Sequence, residues 1–208
     1  MKKAFISSIV IIAALALSAC SFGNKSVKIE TDEYDFDEEI ENIEISISYE
    51  DLHIMESDDD EYHVVFSHLD DMKTTVEVKG DKLVISEKTY RGLGIFSDDA
   101  KDAKLDIYLP KGEVENIKID VASSDVVLTN IVADTIDINT ASGDITFEDS
   151  DAEEIDVDSA SGDVAGTLLS GKVFDVDTVS GKVNVPNDSK GGKCDIDTAS
   201  GDVDLKVV

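Results

Sequence analysis

Basic side chains, aromatic rings and cysteines are scarce in this sequence. Of its 208 residues, 18 are Lys or Arg and 47 are Asp or Glu, and tryptophan is absent. The formal net charge at pH 7 is −29. This charge excludes nucleic acid as a partner, because phosphate binding requires a basic face. Anionic lipid head groups also repel such a body, which should therefore stand off a membrane surface.

The sequence contains only two cysteines, Cys20 and Cys194. A disulfide within the chain is excluded if Cys20 is modified, as argued next. Stability must then come from packing and from sheet hydrogen bonds, and not from the disulfides of many small exported domains.

An export signal occupies the start of the chain. Lys2 and Lys3 precede an apolar run over residues 4–17, and small residues follow. This three-part pattern is typical of a cleaved secretory signal. The run is too short for a membrane-spanning helix, which needs about 20 residues.

The residues at the cleavage site, Leu17-Ser18-Ala19-Cys20, resemble the lipobox of bacterial lipoproteins. The resemblance implies that residues 1–19 are a signal peptide and that Cys20 carries a diacylglycerol thioether. Two acyl chains anchor a protein firmly where one is marginal. Residues 20–30 then form a tether between the lipid and the folded body, and the protein is exported and held at the extracytoplasmic face of a membrane.

Five repeats fill the C-terminal half. Their turn residues are spaced by 19, 19, 19 and 20 positions, and apolar residues recur seven and five positions before each turn and two and four after it. Polar or acidic residues separate these apolar columns, and such alternation is typical of half-buried β-strands. The turn residues are Ser124, Gly143, Gly162, Gly181 and Gly201.

Each repeat therefore predicts two short strands joined by a tight turn. One such coil cannot bury its own apolar side, but stacked coils can. We predict an all-β, single-stranded β-solenoid of about 19-residue coils, with regular repeats over 114–208. Cys194 falls in an inward column, which indicates a buried hydrophobe. An antiparallel sandwich of hairpins is the alternative, although hairpins rarely keep one loop length five times.

The N-terminal part of the body is β-rich but less regular. Residues 44–54 echo the later repeat, and the apolar strands around Lys79-Gly80-Asp81-Lys82 predict a hairpin. We treat 31–208 as one domain. The chain stops directly after the last repeat, which predicts an open solenoid end there that pairs with a partner or with a second copy of the chain.

The recurring segments of the form [TS]-[AV]-S-G-[DK]-[VI], at 140–145, 159–164, 178–183 and 198–203, resemble the bacterial putative-adhesin family of β-strand-repeat proteins. The resemblance covers roughly residues 40–208. It implies a β-repeat fold and an association with the cell envelope, and it carries over no catalytic positions.

Acidic columns are the main candidates for ligand binding. Stacking places like charges about 5 Å apart, which is unfavourable. Ca²⁺ could bridge such carboxylates, or they could be solvated charges that keep the sheet soluble. The glycine-rich nonapeptide of Ca²⁺-binding β-rolls is missing, which favours solvated charges. The candidate ligands are Asp144, Asp163 and Asp202 after the turn, and Asp158, Asp177 and Asp197 before it.

Catalytic residues are not indicated. The serine and threonine columns lack a histidine in the pattern, so we interpret them as groups that satisfy the turn backbone. The spacing of His53, His63 and His68 matches no zinc motif, and the single arginine, Arg91, is poor support for a polysaccharide lyase.

The sequence therefore predicts a non-enzymatic, surface-displayed lipoprotein that acts as an adhesin or as an envelope binding module, with a protein or cell-surface partner and no cofactor. Two alternatives stay open: a Ca²⁺-dependent envelope protein, and an accessory factor or sensor of envelope stress.

Overall fold

The computed structural model describes residues 29–59, 61–69, 73–88, 102–187 and 190–208. The predicted signal peptide, Cys20 and Arg91 lie outside the described residues. Within these ranges no helix is long and apolar enough to cross a membrane.

The described residues form sixteen β-strands and an all-β, solenoid-like fold. The strands are β1 (Ile29–Phe36), β2 (Asn42–Ile47), β3 (Asp51–Glu56), β4 (Tyr62–Leu69), β5 (Lys73–Lys79), β6 (Lys82–Lys88), β7 (Lys104–Leu109), β8 (Glu113–Ser123), β9 (Val126–Thr129), β10 (Val132–Ser142), β11 (Ile145–Ser159), β12 (Val164–Leu168), β13 (Lys172–Ser180), β14 (Val183–Asn184), β15 (Gly192–Ser200) and β16 (Val203–Val207).

Each repeat contributes one strand to each of two sheet arrays, and the strands of successive coils in an array pair in parallel. The first array runs in the order β5-β6-β2-β8-β10-β11-β15-β13, and the second in the order β1-β4-β7-β3-β9-β11-β12-β16-β14. The long β11 belongs to both, because residues 145–150 pair in the second array and residues 151–159 in the first. Parallel pairing between the repeats agrees with a solenoid and overturns the hairpin sandwich.

Apolar residues of both arrays face a shared core. Ile119, Ile138 and Val157 from the first array and Val126 and Val164 from the second are fully buried in one cluster. Their two-residue alternation with more exposed, mostly polar residues is the pattern that predicted the strands. Cys194 is also fully buried in this cluster, as predicted.

The order of the last two repeats differs from the chain order. β15 lies between β11 and β13, and β16 lies between β12 and β14. The last repeat is therefore inside the stack, and the fourth repeat, β13 with β14, forms its end. The prediction that the C-terminal strands form the open end is wrong.

A glycine permits this insertion. A Cβ added at Gly192, the first residue of β15, would lie 2.3 Å from the carbonyl oxygen of Glu153 on β11. Only glycine tolerates that approach, because real Cβ atoms do not come so close to backbone oxygens. The connection between β14 and β15 also contains Gly191, whose φ is 119°. The chain can therefore cross over the fourth repeat and return beside the third.

The N-terminal part extends the stack at its other end. β2 and β3 align with the first repeat, with Ile45 opposite Ile119 and Ile54 opposite Leu128, as the echo in the sequence predicted. β6 and β7 stack outside them in parallel. Antiparallel β5, and antiparallel β4 with β1, cover this end. The predicted hairpin is β5–β6, with Gly80 in its turn at a φ of 73°.

Candidate functional site

A groove runs across the repeats in the first array, where each strand approaches its turn. Its volume is about 830 Å³. Four repeats give it the same three positions, an acid or amide, a hydroxyl and an apolar residue, and the first repeat gives two residues. The lining residues are Asp120, Val121, Asn139, Thr140, Ala141, Asp158, Ser159, Ala160, Asp177, Thr178, Val179, Asp197, Thr198 and Ala199.

The acidic wall of the groove contains three aspartates on neighbouring strands. Asp197 is the register partner of Asp158 on one side and of Asp177 on the other. Parallel strands lie about 4.8 Å apart, so three exposed carboxylates form one row. The sequence identified these three candidates, but the insertion of β15 determines that Asp197 stands in the middle.

Charge accumulates along this row and beside it. Desolvation, followed by repulsion from Asp195 and Asp177, raises the pKa of Asp197. Partial burial, followed by repulsion from Asp158 and Asp195, raises the pKa of Asp156. Both shifts show that the ionised forms are disfavoured, so a bound cation would relieve the repulsion.

Serine and threonine residues form the floor of the groove. Ser159 and Thr198 are 8% and 5% exposed. Among the contacts of the described residues, the hydroxyl oxygens of Ser159, Thr178 and Thr198 have no hydrogen-bond partner. Thr140 differs, since its hydroxyl donates to the Ser142 carbonyl oxygen at 3.0 Å and accepts from the Ser142 N–H at 3.2 Å. The predicted turn-satisfying role therefore holds for Thr140, whereas the hydroxyl oxygens of the other three are buried beneath the groove surface.

The second acidic column, which follows the turn, forms a ladder of side-chain to backbone bonds. The Asp144 N–H donates to Asp125 Oδ1 at 2.8 Å, the Asp163 N–H to Asp144 Oδ1 at 2.9 Å, and the Asp202 N–H to Asp163 Oδ1 at 2.7 Å. The Lys182 N–H then donates to Asp202 Oδ1 at 2.8 Å. Each carboxylate thus satisfies a backbone group of the next coil, which gives these aspartates a structural role. Ca²⁺ binding by Asp144, Asp163 and Asp202 stays a prediction.

The three histidines contact acidic groups. His63 Nδ1 lies 2.7 Å from Asp35 Oδ1, and its Nε2 lies 3.1 Å from Asp59 Oδ1. The hydrogen bond to Asp35, and a second one to Asp59, raise the pKa of His63 despite its partial burial. His53 contacts Asp106, and His68 contacts Asp32. These contacts orient imidazoles but supply no nucleophile.

His63 also lies near Asp59 and Glu61, with one ligand atom of each residue within 4.8 Å of the others. This grouping comes from the connection between β3 and β4 and the start of β4, and the histidine spacing gave no sign of it. Both carboxylates are exposed, and that of Asp59 already accepts hydrogen bonds from His63 and from the Glu61 N–H.

The thiol of Cys194 has the properties of a buried apolar group. Burial raises its pKa to about 12, so the reactive thiolate is disfavoured at neutral pH.

Comparison with known proteins agrees with this architecture. The family model described as Toastrack DUF4097 matches residues 40–208. A structure of a putative cell adhesion protein from Clostridium sporogenes superposes with a TM-score of 0.65 over 86% of this chain and 100% of that one, at 15% identity. A putative adhesin from Bacteroides fragilis gives a TM-score of 0.37 over 87% and 98%, at 14% identity. The first match supports the fold alone. No curated protein matched the sequence.

Proposed function

Since the chain belongs to the Toastrack DUF4097 family, we propose that it is a surface-displayed, non-enzymatic protein of the adhesin type, anchored by lipid on Cys20, that binds an extended cationic ligand along its groove. The similarity in fold to the putative cell adhesion protein from Clostridium sporogenes supports the adhesin role. The groove suggests where such a ligand binds.

The observation that carries the proposal is the row of Asp158, Asp197 and Asp177 on neighbouring strands. Adjacent carboxylates repel one another. A chain of amines with a strand-like repeat would relieve this repulsion. The groove repeats in register across five strands, so it fits a long ligand better than a compact one.

Binding of octalysine, measured by calorimetry, tests the groove. The double variant Asp158→Asn with Asp197→Asn should weaken binding by at least about tenfold, because it removes two adjacent charges from the wall. The control Asp134→Asn with Glu153→Gln removes the same charge from exposed positions outside the groove wall. It should change binding by less than about twofold. Equal weakening in both variants would show diffuse attraction and overturn the groove as the binding site.

The anchor is tested separately. The variant Cys20→Ser should move the protein from the membrane fraction to the soluble fraction and abolish incorporation of labelled palmitate, because the thioether can no longer form. Retention of Cys20→Ser in washed membranes would contradict the lipid anchor.

A second candidate function is Ca²⁺-dependent display, favoured by the raised pKa of Asp197 beside Asp177. Ca²⁺ takes six to eight oxygen ligands, and the row of Asp158, Asp197 and Asp177 offers carboxylates on three neighbouring strands. Thermal unfolding in Ca²⁺ and in chelator, at matched ionic strength, tests this function. Ligand linkage predicts about 2.7 kcal/mol of added stability at 100 times the dissociation constant, whereas solvated charges predict no difference.

A further inference from the structure

The two ends of the stack differ in how they are covered. β5, and β4 with β1, cover the N-terminal end. At the other end, the pairings of the described strands leave β13 bonded only to β15, and β14 only to β16. One edge of each strand therefore presents backbone groups that can pair with an added strand.

The apolar columns are incompletely covered at this end. Phe174 and Val176 on β13 are half-buried, whereas Ile155 and Val157 at the same positions of β11 are fully buried. Val183 on β14 is 45% exposed. Its equivalents Val126, Ile145, Val164 and Val203 are at most 1% exposed. We call Phe174, Val176, Val183 and Val185 the open end.

Acidic residues flank the open end on its outer face. Asp175 and Asp177 alternate with Phe174 and Val176 along β13 and are exposed. Inside the stack, lysines on neighbouring strands relieve such charges. Lys118 Nζ lies 2.9 Å from its register partner Asp137, and Lys193 Nζ lies 3.2 Å from its register partner Glu154.

We propose that the open end docks an extended segment of a protein partner, which adds a β-strand beside β13 and alternates apolar residues with Lys or Arg. The apolar residues would complete the columns of Phe174 and Val176, and the basic ones would pair with Asp175 and Asp177. A second copy of this chain fits less well, because it brings the same aspartates to the contact. This site shares Asp177 with the groove but extends beyond it, since Phe174, Val183 and Val185 do not line the groove.

Titration of the full chain, purified in detergent, with a peptide of alternating Val and Lys tests the proposal. The peptide has nine residues, the length of β13. The variant Val183→Asp should weaken binding by at least about tenfold, because it places a charge in the apolar contact. If the peptide were held only by nonspecific electrostatic attraction, Val183→Asp would strengthen binding, because the variant makes the protein more acidic. The matched control Val208→Asp, at a residue 74% exposed beyond β16, should leave binding unchanged.

Several results would overturn the proposal: no binding of the peptide, no weakening in Val183→Asp, equal weakening in Val208→Asp, or equal binding of a peptide with Ser in place of Lys. A dimer in sedimentation that the peptide does not dissociate would assign the open end to a second copy instead. Hydrogen exchange on the unmodified protein gives an independent readout, because the peptide should slow exchange of the β13 amides. Unchanged exchange in β13 would also overturn docking at this strand.

Discussion

Lys172 on β13 forms an ion pair with Asp151 on β11, with Nζ 2.5 Å from Oδ1, although β15 lies between these two strands. The side chain of Lys172 is 1% exposed, and Nζ also donates to Ser170 Oγ at 2.6 Å. The register partner of Lys172 on β15 is Gly192, which has no side chain to block the path. The ion pair therefore ties the fourth repeat to the third across the inserted last repeat.

Replacing Lys172 by Met should destabilise the protein by about 3–5 kcal/mol, because it leaves the buried Asp151 carboxylate without its cation. Chemical denaturation measures this change. The control is Lys118→Met, which removes a pair between Lys118 and Asp137 that is 46% and 39% exposed. Such a surface pair contributes about 0–1 kcal/mol. A loss in Lys172→Met as small as in the control would contradict the buried tie.

The inserted position of β15 makes a second prediction, about which residues can be crosslinked. Cysteines at positions 158 and 197 stand on neighbouring strands, about 4.8 Å apart, and this separation suits a disulfide. Cysteines at positions 158 and 177 stand two strands apart, beyond the reach of a disulfide of about 7 Å. Asp158→Cys with Asp197→Cys should therefore oxidise readily, and Asp158→Cys with Asp177→Cys should not.

Gel mobility after mild oxidation, with and without reductant, distinguishes the two pairs. If the repeats stacked in chain order, the reactive pair would be 158 with 177. That result would contradict the position of β15 between β11 and β13. Cys194 stays out of the reaction, because it is fully buried.

The sequence predicted much of this fold because each apolar column recurs at the fixed spacing of the repeat. Ile117 and Ile136, or Val126 and Ile145, are spaced by the repeat itself, and parallel register follows from matching them. The order of the last two repeats could not be predicted this way, because both repeats carry apolar residues in the same columns and either order fills the core. Contacts between distant positions decide it, namely the room at Gly192 and the ion pair of Lys172 with Asp151.

The residues of the candidate site were predicted, but their spatial order was not. Asp158, Asp177 and Asp197 were recognised as a column, but their adjacency depends on strand order. The hydroxyls were assigned to turns, which is correct for Thr140 and not for Ser159, because the repeat pattern does not show which hydroxyl finds a backbone partner.

The turn glycines give a third prediction. A Cβ added at Gly162 would lie 2.0 Å from the carbonyl oxygen of Gly143, and the φ of Gly162 is 145°. Gly162→Ala should therefore destabilise the protein by at least about 1–3 kcal/mol. Gly112→Ala is the control, since nothing lies within 4 Å of its added Cβ. Thermal unfolding of both variants measures the difference, and equal melting temperatures would contradict the close stacking of the turns.

The same contact explains why the first repeat carries Ser124 where later ones carry glycine. Each turn glycine faces the carbonyl oxygen of the preceding turn in the stack, as Gly143 faces that of Ser124 and Gly201 that of Gly162. The first repeat instead follows the turn between β2 and β3, which is built differently. Ser124 is 1% exposed there, so its side chain is accommodated.

A fourth prediction concerns pH and the buried carboxyl groups of Glu50 and Glu87. Glu50 is fully buried. Burial, followed by the neighbouring carboxyl group of Glu50, raises the pKa of Glu87 from 4.5 to about 8. Between these two pH values the native state holds a proton that the unfolded state has lost. Stability therefore falls as the pH rises from 4.5 towards 8, and the contribution of Glu87 is constant below 4.5.

Replacing Glu87 by Gln removes the ionisable proton and keeps the shape of the protonated group. Relative to the unmodified protein, Glu87→Gln should be more stable at pH 9 by on the order of 1–2 kcal/mol, with allowance for solvent screening of a partly exposed group. At pH 4 the two proteins should be equally stable, since both side chains are neutral there. Denaturation across this range measures the slope, and Glu153→Gln, at an exposed position, controls for the loss of one acidic group. Parallel pH profiles for the unmodified protein and Glu87→Gln would show that Glu87 ionises normally, and the raised pKa of Glu87 would then be wrong.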